Sequence, residues 1–429
     1  MTFMSAVYLP IELTRREYDG KLLLAAYLSE RGCNIVFGEY SQLVEHAHKN
    51  PYQSVFFAKD CQSMSYPTKQ LDTLQARGWK IVVQDEEAGV TANDFEPFYR
   101  ERIRGDLSRF DRFYAWGDHD FDFLASQENF DPAKIRKTGS PRTVLWGGLG
   151  RSWFKQEITS ITKKQPYILF ATNFGPSAIG GDKPSARERD LIDSYTRLVR
   201  RISSLQEFNV IFRPHPAAED DFWRQKFSKL ANVFVISQGS LTPYVLSASA
   251  VVQSFCTSGL EAAIARVPVI TFSNHYDATA NFSVAPIQDT EEKVFNILSN
   301  LDEQEGRLDS QQMTARRRFF GAGKLEPIDL IGSDVTALYK DLFDVSGARQ
   351  PEKSQRLNAF RAYYRYCIDY RRARHFNKRL KKEKYRDFSL RKLRIDLARA
   401  YRLLNLKNVP PRPEEIMYRT FLIKKSEAR

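Results

Sequence analysis

Residues 210–221 read VIFRPHPAAEDD. Val210, Ile211 and Phe212 are the β-branched and aromatic types that pack in a buried strand. Pro214 and Pro216 follow, and neither can donate a ladder hydrogen bond, so the strand ends there. Arg213 and His215 are thereby set at the C-terminal end of a strand, on a stiffened backbone. In an open α/β sheet, ligands bind outside that edge. The fork of an Arg and the N–H of a His both suit phosphate or carboxylate. The fold then turns on whether strands and helices alternate around this stretch.

They alternate on both sides. After it, VFVIS, AVVQS and PVITFS read as strands, with LTPYVLSAS and SGLEAAIARV as helices between them. Before it, PYILFAT reads as a strand and SARERDLIDSYTRLVRRISSL as an amphipathic helix. A pause near 142–165 separates this unit from an earlier one. There AVYLPIE, NIVFGEY, SVFFAK, KIVVQ and RFYAWG have strand length and composition. The segment EYDGKLLLAAYLSERG is a helix that Gly32 stops. Such alternation predicts parallel sheets with helices on both faces, an α/β fold. We expect a first doubly wound domain at 1–150 and a second at 151–345.

Composition agrees with a folded chain of more than one domain: 429 residues, 42% hydrophobic and 13% aromatic. The four cysteines, Cys33, Cys61, Cys256 and Cys367, are scattered and form no CxxC, so a reducing cytoplasm is expected and a structural metal is not. No signal peptide and no membrane-spanning run is legible. The net charge of +13 is uneven: residues 351–429 hold 24 Lys/Arg and 8 Asp/Glu, and the remainder is slightly acidic. That tail reads as a basic helical extension, 346–429, with Leu390, Leu393, Leu397, Ala400 and Leu404 on one helical face.

Three strand-end loops carry candidate chemistry. VVQDEEAGV places Asp85, Glu86 and Glu87 before Gly89. Crowded carboxylates raise one another's pKa, which suits a general acid or base, although a solvated acidic turn has the same composition. Arg213 and His215, flanked by Pro214 and Pro216, form the second. VVQSFCTSGLEAAIARV is the third, with Thr257, Ser258 and Gly259 opening a helix whose free N–H groups favour an anion. Thr172 and Asn173 end another strand of the same unit. In the first unit, Glu12, Arg15, Arg16, Glu17 and Lys21 either meet an acidic sugar or pair with one another. Arg142 closes KTGSPR, His275 follows PVITFS, and His119 in WGDHD is a weak metal signal.

The order LPIELTRREYDGKLLLA, DEEAG, TGSPR, RPHP and TSGLEAAIARVPVI, over residues 5–290, resembles the bacterial surface carbohydrate biosynthesis proteins. These are similar to GT-B transferases that use CMP-activated ulosonic acids such as Kdo and nonulosonic acids. The resemblance implies a GT-B fold of two Rossmann-like domains facing a cleft, the first for the acceptor and the second for the nucleotide sugar. It implies that His215 binds the CMP phosphate, with Ser258 and Thr257 holding it too. The acidic loop would supply the catalytic carboxylate. The family's loop has two acids and then Gly, whereas this chain reads Asp85-Glu86-Glu87-Ala88-Gly89. Glu87 is favoured, then Glu86. Glu12, Arg16, Gly89, Arg142 and His275 are the expected substrate contacts.

No metal and no cofactor beyond the CMP-sugar is expected. The implied partners are the donor, a glycan or lipid-linked glycan acceptor, and an anionic membrane surface met by residues 351–429 from the cytoplasmic side. Nucleic acid is not expected. The alternatives on the same fold are a UDP-sugar transferase or epimerase, or a CDP-polyol phosphotransferase. A non-catalytic scaffold is the alternative of another class.

Overall fold

The computed structural model describes residues 3–59, 66–86, 110–127, 131–162, 165–174, 185–215, 220–254, 256–273, 287–301, 326–346 and 388–426. The chain divides into two compact units. Of the described residues, those within 1–88, 96–144 and 323–429 form one, and those within 145–322 form the other.

The first unit is built on β1 (Val7–Ile11), β2 (Ile35–Glu39), β3 (Val55–Ala58), β4 (Lys80–Val83), β5 (Arg112–Ala115) and β6 (Ile135–Lys137). All six are parallel, in the order β2-β1-β3-β4-β5-β6. The chain leaves β1 for β2 on one side and returns to β3 on the other, so a topological switch point lies between β1 and β3. Every residue of β1 is buried, as its unbroken apolar run requires of a central parallel strand.

The helix Thr14–Glu30 ends where Gly32 takes φ +89°, the left-handed conformation that glycine adopts without steric cost. Its segment Leu22–Leu28 is apolar on all sides and buried on all sides. The sheet covers one face. Helices Glu326–Ser346 and Leu390–Leu403 cover the rest: Tyr27 packs on Gly332, and Tyr18 donates to Asp396 at 3.0 Å.

This corrects the expected boundaries. Helix Glu326–Ser346 belongs to the first unit, and so do the described residues of the basic extension. Leu393, Leu397 and Ala400 are buried, so the apolar stripe of the last helix packs against the first helix. Beyond that helix the chain forms a hairpin, β13 (Glu414–Met417) and β14 (Thr420–Ile423), and β14 joins β2 antiparallel. The extension is thus partly sheet. The other helical segment expected there, before Phe388, lies outside the described residues.

The second unit carries β7 (Tyr167–Ala171), β8 (Asn209–Arg213), β9 (Val233–Val235), β10 (Ala250–Gln253), β11 (Val269–Phe272) and β12 (Ile287–Gln288), in the order β12-β11-β10-β7-β8-β9, all parallel. The helix Ala186–Ser204 starts on a capping box between Ser185 and Glu188. It packs Leu191, Tyr195, Leu198 and Ile202 with Phe212, Trp223 and Phe272 in one core. Two helices, Gly148–Trp153 and Lys155–Thr162, occupy the pause between the units.

Candidate functional site

In the second unit the chain runs from β7 to β8 and β9, then returns to β10 on the far side of β7. The switch point is therefore beside β7. Ala171 pairs with both Arg213 of β8 and Gln253 of β10, so three strand ends stand in one row. With strands about 5 Å apart, the loops after β8 and β10 open on one edge roughly 10 Å from each other. Thr172 and exposed Asn173 leave β7 between them.

The expected anion ligands divide in this row. Arg213 is buried, and its guanidinium donates to the carbonyls of Gln238 at 2.6 Å and Gly239 at 3.0 Å, with its Cζ 5.0 Å from the Tyr244 ring centroid. That grip fixes the turn ahead of helix Thr242–Ser247, so Arg213 is a structural clamp as well as a cation. Exposed His215 stands two residues beyond it; Pro216 and His275 lie outside the described residues. Helix Thr257–Ala265 starts after β10. Gln253 fixes this start, accepting from Cys256 N at 2.7 Å, and Gly259 leaves the space its side chain fills. Ser258 is fully buried, and its Oγ has no hydrogen-bond partner among the described residues. Thr172 is buried, with its N–H donating to Arg213 O at 3.1 Å.

In the first unit the charges after β1 pair with one another, the second of the two expectations. Lys21 Nζ lies 2.8 Å from Glu86 Oε1 and 3.3 Å from Glu17 Oε2, and donates to Pro10 O at 2.7 Å. Glu17 also takes Arg16 Nη2 at 3.0 Å and the N–H of Glu12 at 2.9 Å. Glu12 pairs in turn with Lys59 at the end of β3. Burial alone would push the Glu17 carboxyl up; Lys21, Arg16 and the Glu12 N–H overcome this and hold it at about 2. Burial acts on Lys21 downward, and the two carboxylates reverse it and raise its pKa.

The acidic loop begins on a fixed backbone. Gln84 Nε2 donates to Gly139 O at 2.7 Å, Trp116 Nε1 to Asp85 O at 2.9 Å, and Arg142 Nη1 to Glu86 O at 3.0 Å. KTGSPR and WGDHD thus brace the loop, and Arg142 acts on it through the carbonyl of Glu86. Glu86 itself is buried in the ion pair with Lys21. Glu87 and Gly89 lie outside the described residues. Sequence reading passed over Asp120. It is buried in the first turn of helix Asp118–Ala125, and its Oδ2 accepts from Trp116 N at 3.2 Å. Desolvation, eased by that N–H and reinforced by the charge of Asp85, pushes its carboxyl up to about 7. The acid spacing in WGDHD was its only trace in the sequence. No group of three or more His, Cys, Asp or Glu is placed to hold a metal among the described residues.

Two doubly wound α/β units with these strand orders define the GT-B fold, as the resemblance implied. Solved structures share it: a putative UDP-N-acetylglucosamine 2-epimerase from Listeria monocytogenes at TM-score 0.54 and 13% identity, covering 79% of this chain and 98% of that one. The S. aureus MnaA–UDP co-structure aligns at 0.52 and 11%, over 79% and 98%. A variant of the wall teichoic acid polymerase TagF soaked with CDPG aligns at 0.52 and 13%, over 79% and 89%. No protein-family model matches the sequence, and no curated protein matches it.

Proposed function

We propose that the chain is a GT-B transferase of bacterial surface-glycan assembly whose donor is a CMP-activated ulosonic acid, Kdo or a nine-carbon relative. One observation carries the reading: the Arg213-Pro214-His215 strand end and the Thr257–Ser258 helix start flank β7 in register at a switch point. In this reading His215 donates a hydrogen bond to the donor phosphate, and the helix N–H groups and Ser258 Oγ stabilise the charge that grows on it as the bond to the sugar breaks. The phosphate leaves as CMP. A carboxylate of the Asp85–Glu87 loop takes the proton of the acceptor hydroxyl as its oxygen bonds to the sugar. A single phosphate in the leaving group can be balanced by these groups.

The acceptor is a hydroxyl of a surface glycan or glycolipid. Its meeting place in this reading is the anionic cytoplasmic leaflet, approached by cations of residues 351–429. The buried Leu stripe of helix Leu390–Leu403 leaves Arg391 and Arg402 exposed on its outer side for that contact. Among the described residues no helix is long and apolar enough to cross a membrane. The likeness to TagF soaked with CDPG favours one second reading, a CDP-polyol phosphotransferase on the same phosphate edge.

Calorimetric binding of CMP, CDP and UDP to the wild type and to His215→Ala tests this. Tightest binding of CMP, weakened about 5- to 150-fold by the substitution, is expected for a lost charge-assisted hydrogen bond of about 1–3 kcal/mol. Tighter binding of CDP shifts the donor to the second reading. No binding of any of the three sinks the transferase assignment.

A further inference from the structure

The C-terminal hairpin does more than extend a sheet. Because β14 runs antiparallel to β2, Thr420 pairs with Gly38 at the C-terminal end of β2, and the turn Tyr418–Arg419 arrives at the edge where β1 and β3 also end. Arg419 O accepts from Glu39 N at 3.0 Å, and Arg419 Nη1 lies 3.6 Å from Glu39 Oε2. Its guanidinium stacks 5.0 Å from the Tyr418 ring centroid, and Tyr418 is 63% exposed. Past Glu39 comes Tyr40, half-buried, with the Lys59 ammonium 5.7 Å from its ring centroid; Lys59 then pairs with Glu12.

We propose that the turn Tyr418–Arg419, with Tyr40 and Lys59, forms a subsite for a saccharide unit of the acceptor on the first unit. The proposal rests on the reading of the chain as a surface-glycan transferase. Exposed aromatic rings present an apolar face for the C–H face of a sugar, and their hydroxyls and the neighbouring cations serve its hydroxyls. The local charges argue for a neutral ligand. Arg419 and Lys59 are balanced by Glu39 and Glu12, and Glu415 Oε1 accepts from Arg419 N at 3.2 Å. Such a balanced patch lacks the excess of cations that draws a protein to anionic lipid. The turn is also held firmly, since Phe421, Leu422 and Ile423 behind it are buried.

The test uses the full chain with Tyr418→Ala and Tyr418→Trp, on an array of labelled neutral oligosaccharides of hexoses and N-acetylhexosamines, with oligomers of Kdo and of polyol phosphates as acidic comparisons. Tyr418 is exposed, so both variants are expected to melt with the wild type. Tyr418→Ala is expected to weaken array binding about tenfold while Tyr418→Trp keeps it, as one aromatic contact allows. CMP affinity, read by calorimetry, stays unchanged in both. Array binding by Tyr418→Ala equal to the wild type overturns the subsite. So does a wild type that binds no glycan on the array, or a loss confined to vesicles of equal phosphatidylcholine and phosphatidylglycerol. A wild type that binds glycans through Tyr418 but no nucleotide keeps the subsite and overturns the transferase reading instead.

Discussion

Lys21 Nζ sits 2.8 Å from Glu86 Oε1, with 4% and 5% of the two side chains exposed. An ammonium has three protons to donate, and Glu86, Glu17 and Pro10 O take all three. Lys21→Met would leave Glu86 buried without its cation and Glu17 with Arg16 alone. We expect a loss of about 3–5 kcal/mol, the cost of breaking a buried pair from one side. Lys21→Met combined with Glu86→Gln recovers part of it. Urea unfolding checks both: the midpoint falls with an unchanged slope. A single variant within about 1 kcal/mol of the wild type contradicts the account.

Two buried carboxyls give opposite pH signatures. Glu17 is held at about 2 against an ordinary 4.5, so its contribution is present above pH 4.5 and lost as pH falls toward 2. Asp120 is pushed up to about 7 from 3.8, so the folded state holds its proton more tightly and stability falls as pH rises from 4 to 7. Asp120→Asn keeps an acceptor for Trp116 N and removes the charge. It is expected to stabilise the protein at pH 8 by on the order of 2–4 kcal/mol and to change little at pH 4. Unfolding at the two pH values decides it. Equal effects at both would mean that Asp120 is already ionised in acid.

Much of this was legible in the residues. Parallel strands buried on both faces are short apolar runs, so β1–β5 and β7–β11 stood out between polar helices. The strand end at Arg213 was legible because two prolines mark it. β6, IRK, has too few apolar residues to be seen, and β12 has only two residues. The hairpin was hidden by its setting: TFLI follows a long basic stretch, and charge dominated the reading of the tail. Partner choice was hidden as well. Glu86 and Lys21 are 65 positions apart in the chain. Only the β1–β3–β4 order brings them together, and no local pattern encodes that order.

The anion edge contains two residues whose roles separate by experiment. Ser258 Oγ is buried without a partner among the described residues, so Ser258→Ala is expected to raise unfolding stability by about 1 kcal/mol in the absence of nucleotide. The same variant is expected to weaken CMP binding. Arg213→Lys is expected to act on stability in the opposite direction. A single ammonium cannot reproduce the fork that grips Gln238 O and Gly239 O, and we expect a loss of about 1–3 kcal/mol in stability. Calorimetry with CMP and denaturant unfolding, run on both variants, distinguish them. A Ser258→Ala protein that is destabilised and binds CMP normally would make Ser258 an ordinary helix residue.

The C-terminal residues complete the first sheet, and this has a measurable consequence. Phe421 is 1% exposed, and its ring lies edge-on to Phe388 with centroids 5.3 Å apart. Phe388 in turn packs against Phe37 of β2 and Tyr18 of the first helix. Phe421→Ala therefore opens a cavity beside Phe388 in this aromatic cluster and is expected to cost about 3–5 kcal/mol. Truncation after residue 387 removes more. It bares the hydrogen-bonding edge of β2, strips the cover from Tyr18, and leaves an unprotected parallel edge strand that invites pairing between chains. Thermal melting with light scattering checks the pair: the point variant melts lower but reversibly, and the truncated chain scatters. A truncated chain that stays monomeric with the melting point of the whole protein would make the tail a dispensable appendage, and the buried contacts of Phe421 and Leu397 argue against that outcome.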